Sequence, residues 1–154
     1  MPRSGYLNLW IKFLTTIMVL TSFLTSGCTS IKVMPLNASY SIERVAIKEN
    51  PRVTVPDFLC FVQNEFENHG ITMIPYQNQV PPNCQAILTY TAPRSWDVTT
   101  YLSHAELTLR NLEGKRIAQA TYHLQGKGGL DFSKWGSVQS KMKPVIDQLL
   151  QEYE

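Results

Sequence analysis

The chain has 154 residues, 44% of them hydrophobic, which suffices for one domain with a single core and is too little for two. Its 14 basic residues include Arg3 and Lys12 of an N-terminal leader, so the remainder balances 12 basic against 12 acidic side chains. With no net charge and no basic cluster, the electrostatic footprint of a nucleic-acid binder is missing.

Residues 1–27 follow the pattern of an export signal, with Arg3 and Lys12 as the only charges and an apolar run from Phe13 to about Leu24. A run of roughly a dozen residues falls well short of the ~20 that a permanent membrane-crossing helix requires. It ends in Leu24-Thr25-Ser26-Gly27-Cys28, which resembles the lipobox of bacterial lipoprotein precursors, although Thr25 stands where a large aliphatic residue is usual. The resemblance implies a diacylglycerol on the Cys28 sulfur, cleavage between Gly27 and Cys28, and acylation of the new amino group. Each buried CH₂ is worth ~0.8 kcal/mol, so three such chains would anchor the protein firmly. The alternative is an ordinary secretory signal cut nearby, leaving Cys28 as a free or disulfide-bonded thiol. Thr29, in place of the aspartate that retains lipoproteins in the inner membrane, implies the periplasmic face of the outer membrane.

Residues 28–42 are weakly patterned, with Pro35, Asn37 and Ser39 interrupting any period, and read as a lipidated N-terminus and tether. A single domain is expected over 43–154. Arg44-Val45-Ala46-Ile47-Lys48 is its first strand. Pro56-Asp57 opens a helix in which Phe58, Leu59, Val62 and Phe66 recur at helical spacing up to His69-Gly70. Residues 71–76 form a second strand, placed at an edge by Pro75. A polar loop leads to a third strand at 86–92.

The segments 101–110 and 116–124 read as a hairpin, and pairing Leu109 with Ala118 keeps every apolar residue on one face. That register sets His104 opposite His123. After the flexible Gly126 to Gly129 turn, Trp135, Val138, Met142, Val145, Leu149 and Tyr153 mark an amphipathic helix, with a kink or break expected near Lys143 because of Pro144. The order β-α-β-β-β-β-α points to a two-layer α+β sandwich, its sheet mostly antiparallel and both helices on one face.

With Cys28 lipidated, Cys60 and Cys84 remain, and two thiols in an oxidising compartment are more often paired than free. A third strand that starts where the second ends would bring Cys84 to the first turn of the helix that carries Cys60. A disulfide is therefore expected, worth ~3 kcal/mol by chain entropy, with an inert buried Cys60 as the alternative. His104 and His123 are near enough across the hairpin to share a metal ion, but Glu106 is the only evident third ligand, and polar residues on a wet sheet face is the simpler reading. Arg94, Trp96 and Asp97 place a guanidinium, an indole and a carboxylate together. They are either a binding hot spot or a local brace in which Trp96 caps the core. No Gly-x-Ser-x-Gly, His-Glu-x-x-His or Cys-x-x-Cys motif occurs.

Cys28-Thr29-Ser30-Ile31-Lys32-Val33, Glu49-Asn50-Pro51, His69-Gly70-Ile71, Leu88-Thr89-Tyr90-Thr91-Ala92, Arg94-Ser95-Trp96-Asp97 and Tyr101-Leu102-Ser103-His104-Ala105-Glu106-Leu107, with Gly128-Gly129-Leu130 and Lys134-Trp135, resemble a family of small bacterial lipoproteins without assigned function. The resemblance implies an anchor and no activity, cofactor or catalytic residue. The expectation is a non-enzymatic outer-membrane lipoprotein that binds or assembles an envelope component. A ligand- or metal-binding lipoprotein using the outer sheet face, and a hydrolase with an unrecognised site, are the alternatives.

Overall fold

The structure, a computed structural model, describes residues 29–96, 100–125 and 132–153. Cys28 and Gly27, the 126–129 turn and Asp97 lie outside the described residues. The protein is an α+β sandwich: a mixed, mostly antiparallel six-stranded sheet with two helices packed on one face.

The sheet is made of β1 (Thr29–Met34), β2 (Arg44–Lys48), β3 (Thr72–Tyr76), β4 (Ala86–Thr91), β7 (His104–Asn111) and β8 (Arg116–Leu124), in the order β1-β8-β7-β4-β2-β3. Two short strands, β5 (Arg94–Trp96) and β6 (Thr100–Leu102), form a separate ribbon that continues the β4 and β7 pair beyond Pro93 and Ser103. Helix α1 spans Phe58–Asn68 and α2 spans Val138–Leu149, the latter preceded by a single 3₁₀ turn at Phe132–Trp135.

Strand alternation decides which face is buried. Leu88, Tyr90, Ala105, Leu107, Leu109, Ala118, Ala120 and Tyr122 point to the helices and are almost wholly inaccessible. Phe58, Val62 and Phe66 of α1 and Met142, Val145, Ile146 and Leu149 of α2 fill the other half of the core. Phe58 stacks on Tyr90 with ring centres 5.7 Å apart. Leu109 faces Ala118 and His104 faces His123, as the apolar pattern requires. Pro75 lies in the edge strand β3, where a missing donor costs no ladder bond.

Several expectations are corrected. The segment read as a tether is part of the fold: β1 pairs with β8 from Thr29↔Leu124 to Met34↔Gln119, with Ile31 and Val33 packed on the core. Leu36 is fully buried and its N–H donates to the Leu149 carbonyl at 2.8 Å. Ile42 is buried as well, and its backbone N–H and carbonyl both bond the Tyr153 hydroxyl. The folded domain therefore includes residues 29–42 and is not confined to 43–154. Pro144 does not split α2, which runs unbroken through it; the interruption falls earlier, at 136–137, where the Ser137 hydroxyl caps the helix by accepting from the Ser140 N–H at 3.1 Å. Trp135 belongs to the 3₁₀ turn instead of the helix. Asp57 stands before the first turn of α1, in a left-handed conformation (φ 59°) without a side-chain cap.

The two helices are also linked by charge. Lys143 of α2 reaches the largely buried Glu65 of α1 at 3.2 Å and Asp147 at 3.1 Å. Hydrogen bonds to Asp147 first, then to Glu65, hold its ammonium above the ordinary lysine value.

If residues 35–42 are core, Leu36→Ala lowers unfolding free energy by roughly 2–5 kcal/mol. Urea titration measures this directly, and a change below about 0.5 kcal/mol, the size usual for exposed positions, would mean that the segment is a tether after all.

Candidate functional site

The strand directions separate the two cysteines expected to form a bridge. β4 runs parallel to β2, with Val45↔Ala86 and Ile47↔Leu88, so β3 and β4 flank β2 in the same direction. The polar loop 77–85 consequently carries the chain back along the whole sheet, and Cys84 arrives at the end where β2 begins. Cys60 sits in the first turn of α1, at the end where β2 finishes. Both are free thiols, Cys84 buried and Cys60 exposed, so the Cys60 to Cys84 disulfide does not form, nor is Cys60 the inert buried thiol of the alternative reading. The Cys60 sulfur lies 3.8 Å from the Asn64 amide nitrogen.

Cys60 borders a cleft of about 720 Å³ between the 49–57 loop and α1, lined also by Glu49, Asn50, Phe58, Gln77 and Tyr90. Its polar groups bond one another. Asn50 donates to the Tyr90 carbonyl (2.9 Å) and to the Tyr90 hydroxyl (3.2 Å), and Glu49 accepts from the Gln77 amide at 2.7 Å. These bonds fix the loop over the sheet end.

His104 and His123 do meet on the outer face, in an edge-to-face arrangement with ring centres 5.7 Å apart. Glu106, on the same face, accepts at one oxygen from the Thr108 hydroxyl (3.1 Å) and the Gln119 amide (2.8 Å). Among the described residues no group of three or more His, Cys, Asp and Glu side chains is placed to hold a metal ion. His69 pairs instead with Asp147, 3.4 Å away, at the end of α1.

Arg94 and Trp96 lie on the β5-β6 ribbon. Trp96 is 77% exposed, so it does not cap the core as the bracing alternative supposed. Behind the ribbon is a second cleft of about 530 Å³, lined by Val55, Phe61, Arg94, Tyr101, Trp135 and Val138 among others. Sequence reasoning missed the residue that holds this region together. Lys141 is 5% exposed, and its ammonium donates to the Leu102 carbonyl (3.1 Å) and the Lys134 carbonyl (2.6 Å) while lying 5.6 Å from the centre of the Tyr101 ring. It fastens the ribbon and the 3₁₀ turn to α2. The available signal was a lysine directly before Met142, on the apolar side of the helix.

No protein-family model matches the chain, nor does any curated protein. The fold is similar to that of PelC from Paraburkholderia phytofirmans, solved as a dodecamer, at a TM-score of 0.53 with 13% identity over 81% of this chain and 98% of that one. A point variant of the same dodecamer in another crystal form matches at 0.49, with 16% identity over 77% of this chain and 97% of that one. At these identities the likeness concerns the fold alone.

Two measurements check this geometry. In native protein a thiol reagent modifies Cys60 promptly and Cys84 only on unfolding, and electrophoretic mobility is the same with and without reductant; a reductant-dependent shift would restore the bridge. Lys141→Met removes two charge-assisted bonds from buried carbonyls and destabilises the protein by about 2 kcal/mol or more, with faster hydrogen exchange in β6. An unchanged urea midpoint and unchanged exchange would show that Lys141 is dispensable.

Proposed function

We propose that the protein is an outer-membrane lipoprotein, acylated at Cys28 after removal of residues 1–27, whose folded body is a non-enzymatic binding or assembly module facing the periplasm. The feature that carries this reading is the Leu24-Thr25-Ser26-Gly27-Cys28 segment directly before residues that are part of the sheet: Thr29 to Met34 pair with β8, and a cut between Gly27 and Cys28 leaves that ladder whole. Cleavage there removes no residue of the described core, whose first member is Leu36. Among the described residues no helix is long and apolar enough to cross a membrane.

Binding is supported by the surfaces left open. The helices cover one face of the sheet, while the other presents His104, His123, Glu106, Gln119 and Lys32 to solvent or a partner. The outer side of β1 has no neighbouring strand among the described residues, and such an edge is a template for another chain. Since the fold is similar to a protein that assembles as a dodecamer, a second copy is the first partner to test.

Metabolic labelling with a fatty-acid analogue should mark the wild type and leave Cys28→Ala unlabelled with its leader retained; equal labelling of both would remove the anchor. Crosslinking in intact cells, with light scattering of the detergent-solubilised protein, should recover either a self-assembly or a specific envelope partner. A monomer that crosslinks to nothing would remove the binding role.

A further inference from the structure

The strand directions place several exposed features at one end of the sheet. Thr29 begins β1 opposite Leu124, the last residue of β8, and the Leu124 N–H donates to the Ser103 carbonyl at 2.9 Å. Ser103 follows Leu102, whose carbonyl is held by Lys141 together with that of Lys134, the neighbour of Trp135. A continuous set of contacts thus joins the start of β1 to the 3₁₀ turn. From Leu102, opposite Arg94, the β5-β6 ribbon runs two residue pairs further, to Trp96 opposite Thr100. At ~3.3 Å per residue that carries Trp96 about 7 Å past the Leu102 pair.

Both tryptophans of the mature chain are exposed here, Trp96 at 77% and Trp135 at 39%. The third, Trp10, belongs to the leader. Val55, Phe61, Tyr101 and Val138 line the cleft beside them. Among the described residues the other two exposed large apolar side chains, Met34 and Leu112, stand at the opposite end of the sheet and are not aromatic.

A lipidated residue 28 has no spacer before this end, because consecutive α-carbons are only ~3.8 Å apart. Acyl chains on Cys28 would therefore bring the end of β1, and whatever protrudes beside it, into contact with the headgroups. Indole is the side chain best suited to that layer, having an apolar ring to bury and an N–H to leave among polar groups.

We infer that this end of the sheet is a membrane-docking face, with Trp96 and Trp135 seated in the phospholipid interface and the outer sheet face held at a steep angle to the bilayer. The inference rests on the lipid-anchored reading above and adds to it an orientation. A flexible tether would leave the body free to tumble; an anchor fused to an edge strand, with two indoles at the same end of the sheet, does not.

The test uses the mature wild-type protein reconstituted in phosphatidylethanolamine and phosphatidylglycerol vesicles, some containing brominated phosphatidylcholine. Bromines near the headgroup should quench most of the tryptophan emission, and bromines deep in the chain should quench less. Trp96→Phe and Trp135→Phe each leave one tryptophan, and each remaining signal should be quenched. Circular dichroism confirms that both variants are folded. Mass spectrometry of the same sample reports whether Cys28 is acylated, so the two readings fail separately. An acylated, vesicle-bound protein whose emission is unaffected by bromine at any depth would overturn the docking face while leaving the anchor intact. An unmodified Cys28 removes the anchor, and quenching in flotation-purified vesicles then decides the face alone: its presence keeps the docking surface, its absence ends it.

Discussion

The ladder between β1 and β8 is the constraint on which the rest of this structure depends. Six residues directly after the lipobox-like segment pair with the last strand of the hairpin, one end of the pairing being Thr29 and Leu124. Without that ladder β8 would be an exposed edge, Ile31 and Val33 would lose their cover, and residues 35–42 could not be led across to α2. The pairing also fixes where and in what direction the chain enters the fold. Any attachment at residue 28 inherits that position.

Around this ladder the core obeys a simple division of labour. One sheet face is almost wholly apolar and takes both helices, and the C-terminal residues close it through Leu149, Leu150 and the Tyr153 hydroxyl on Ile42. The other face mixes charge with small and branched residues. Ala46, in register with Ile74 and Ile87, is fully buried there although no helix covers it. The two branched neighbours flank it on β3 and β4, so this side of the face is more apolar than the stretch of β7 that carries His104 and Glu106.

Much of the fold was legible in the residues because strand and helix periods are local properties. The 104–111 and 116–124 hairpin declared its register through Leu107, Leu109, Ala118 and Ala120, and α1 through Phe58, Val62 and Phe66. β1 escaped notice although Ile31 and Val33 alternate with Ser30 and Lys32. A single short alternation next to a cleavage motif and a proline carries no indication of its partner, which lies at the far end of the domain. The direction of β4 is a similar case. A nine-residue loop permits either an antiparallel turn or a return crossover, and only packing beside β2 selects the second; Cys84 moved to the opposite end as a result. Trp96 shows the converse limit, since an indole next to a turn reads as a core cap until the β5-β6 ribbon is known to extend beyond the main sheet and leave it 77% exposed.

The same ladder governs the order of folding. Its partners are separated by 85 residues at Met34 and Gln119 and by 95 at Thr29 and Leu124, so this pairing has among the longest loops in the molecule to close and gains nothing until the hairpin exists. A chain emerging N-terminus first from the ribosome must keep β1 unmated until residue 124 is through. During that interval both edges of β1 are unpaired, and Lys32 near its centre is the one charge the strand carries against non-specific strand pairing.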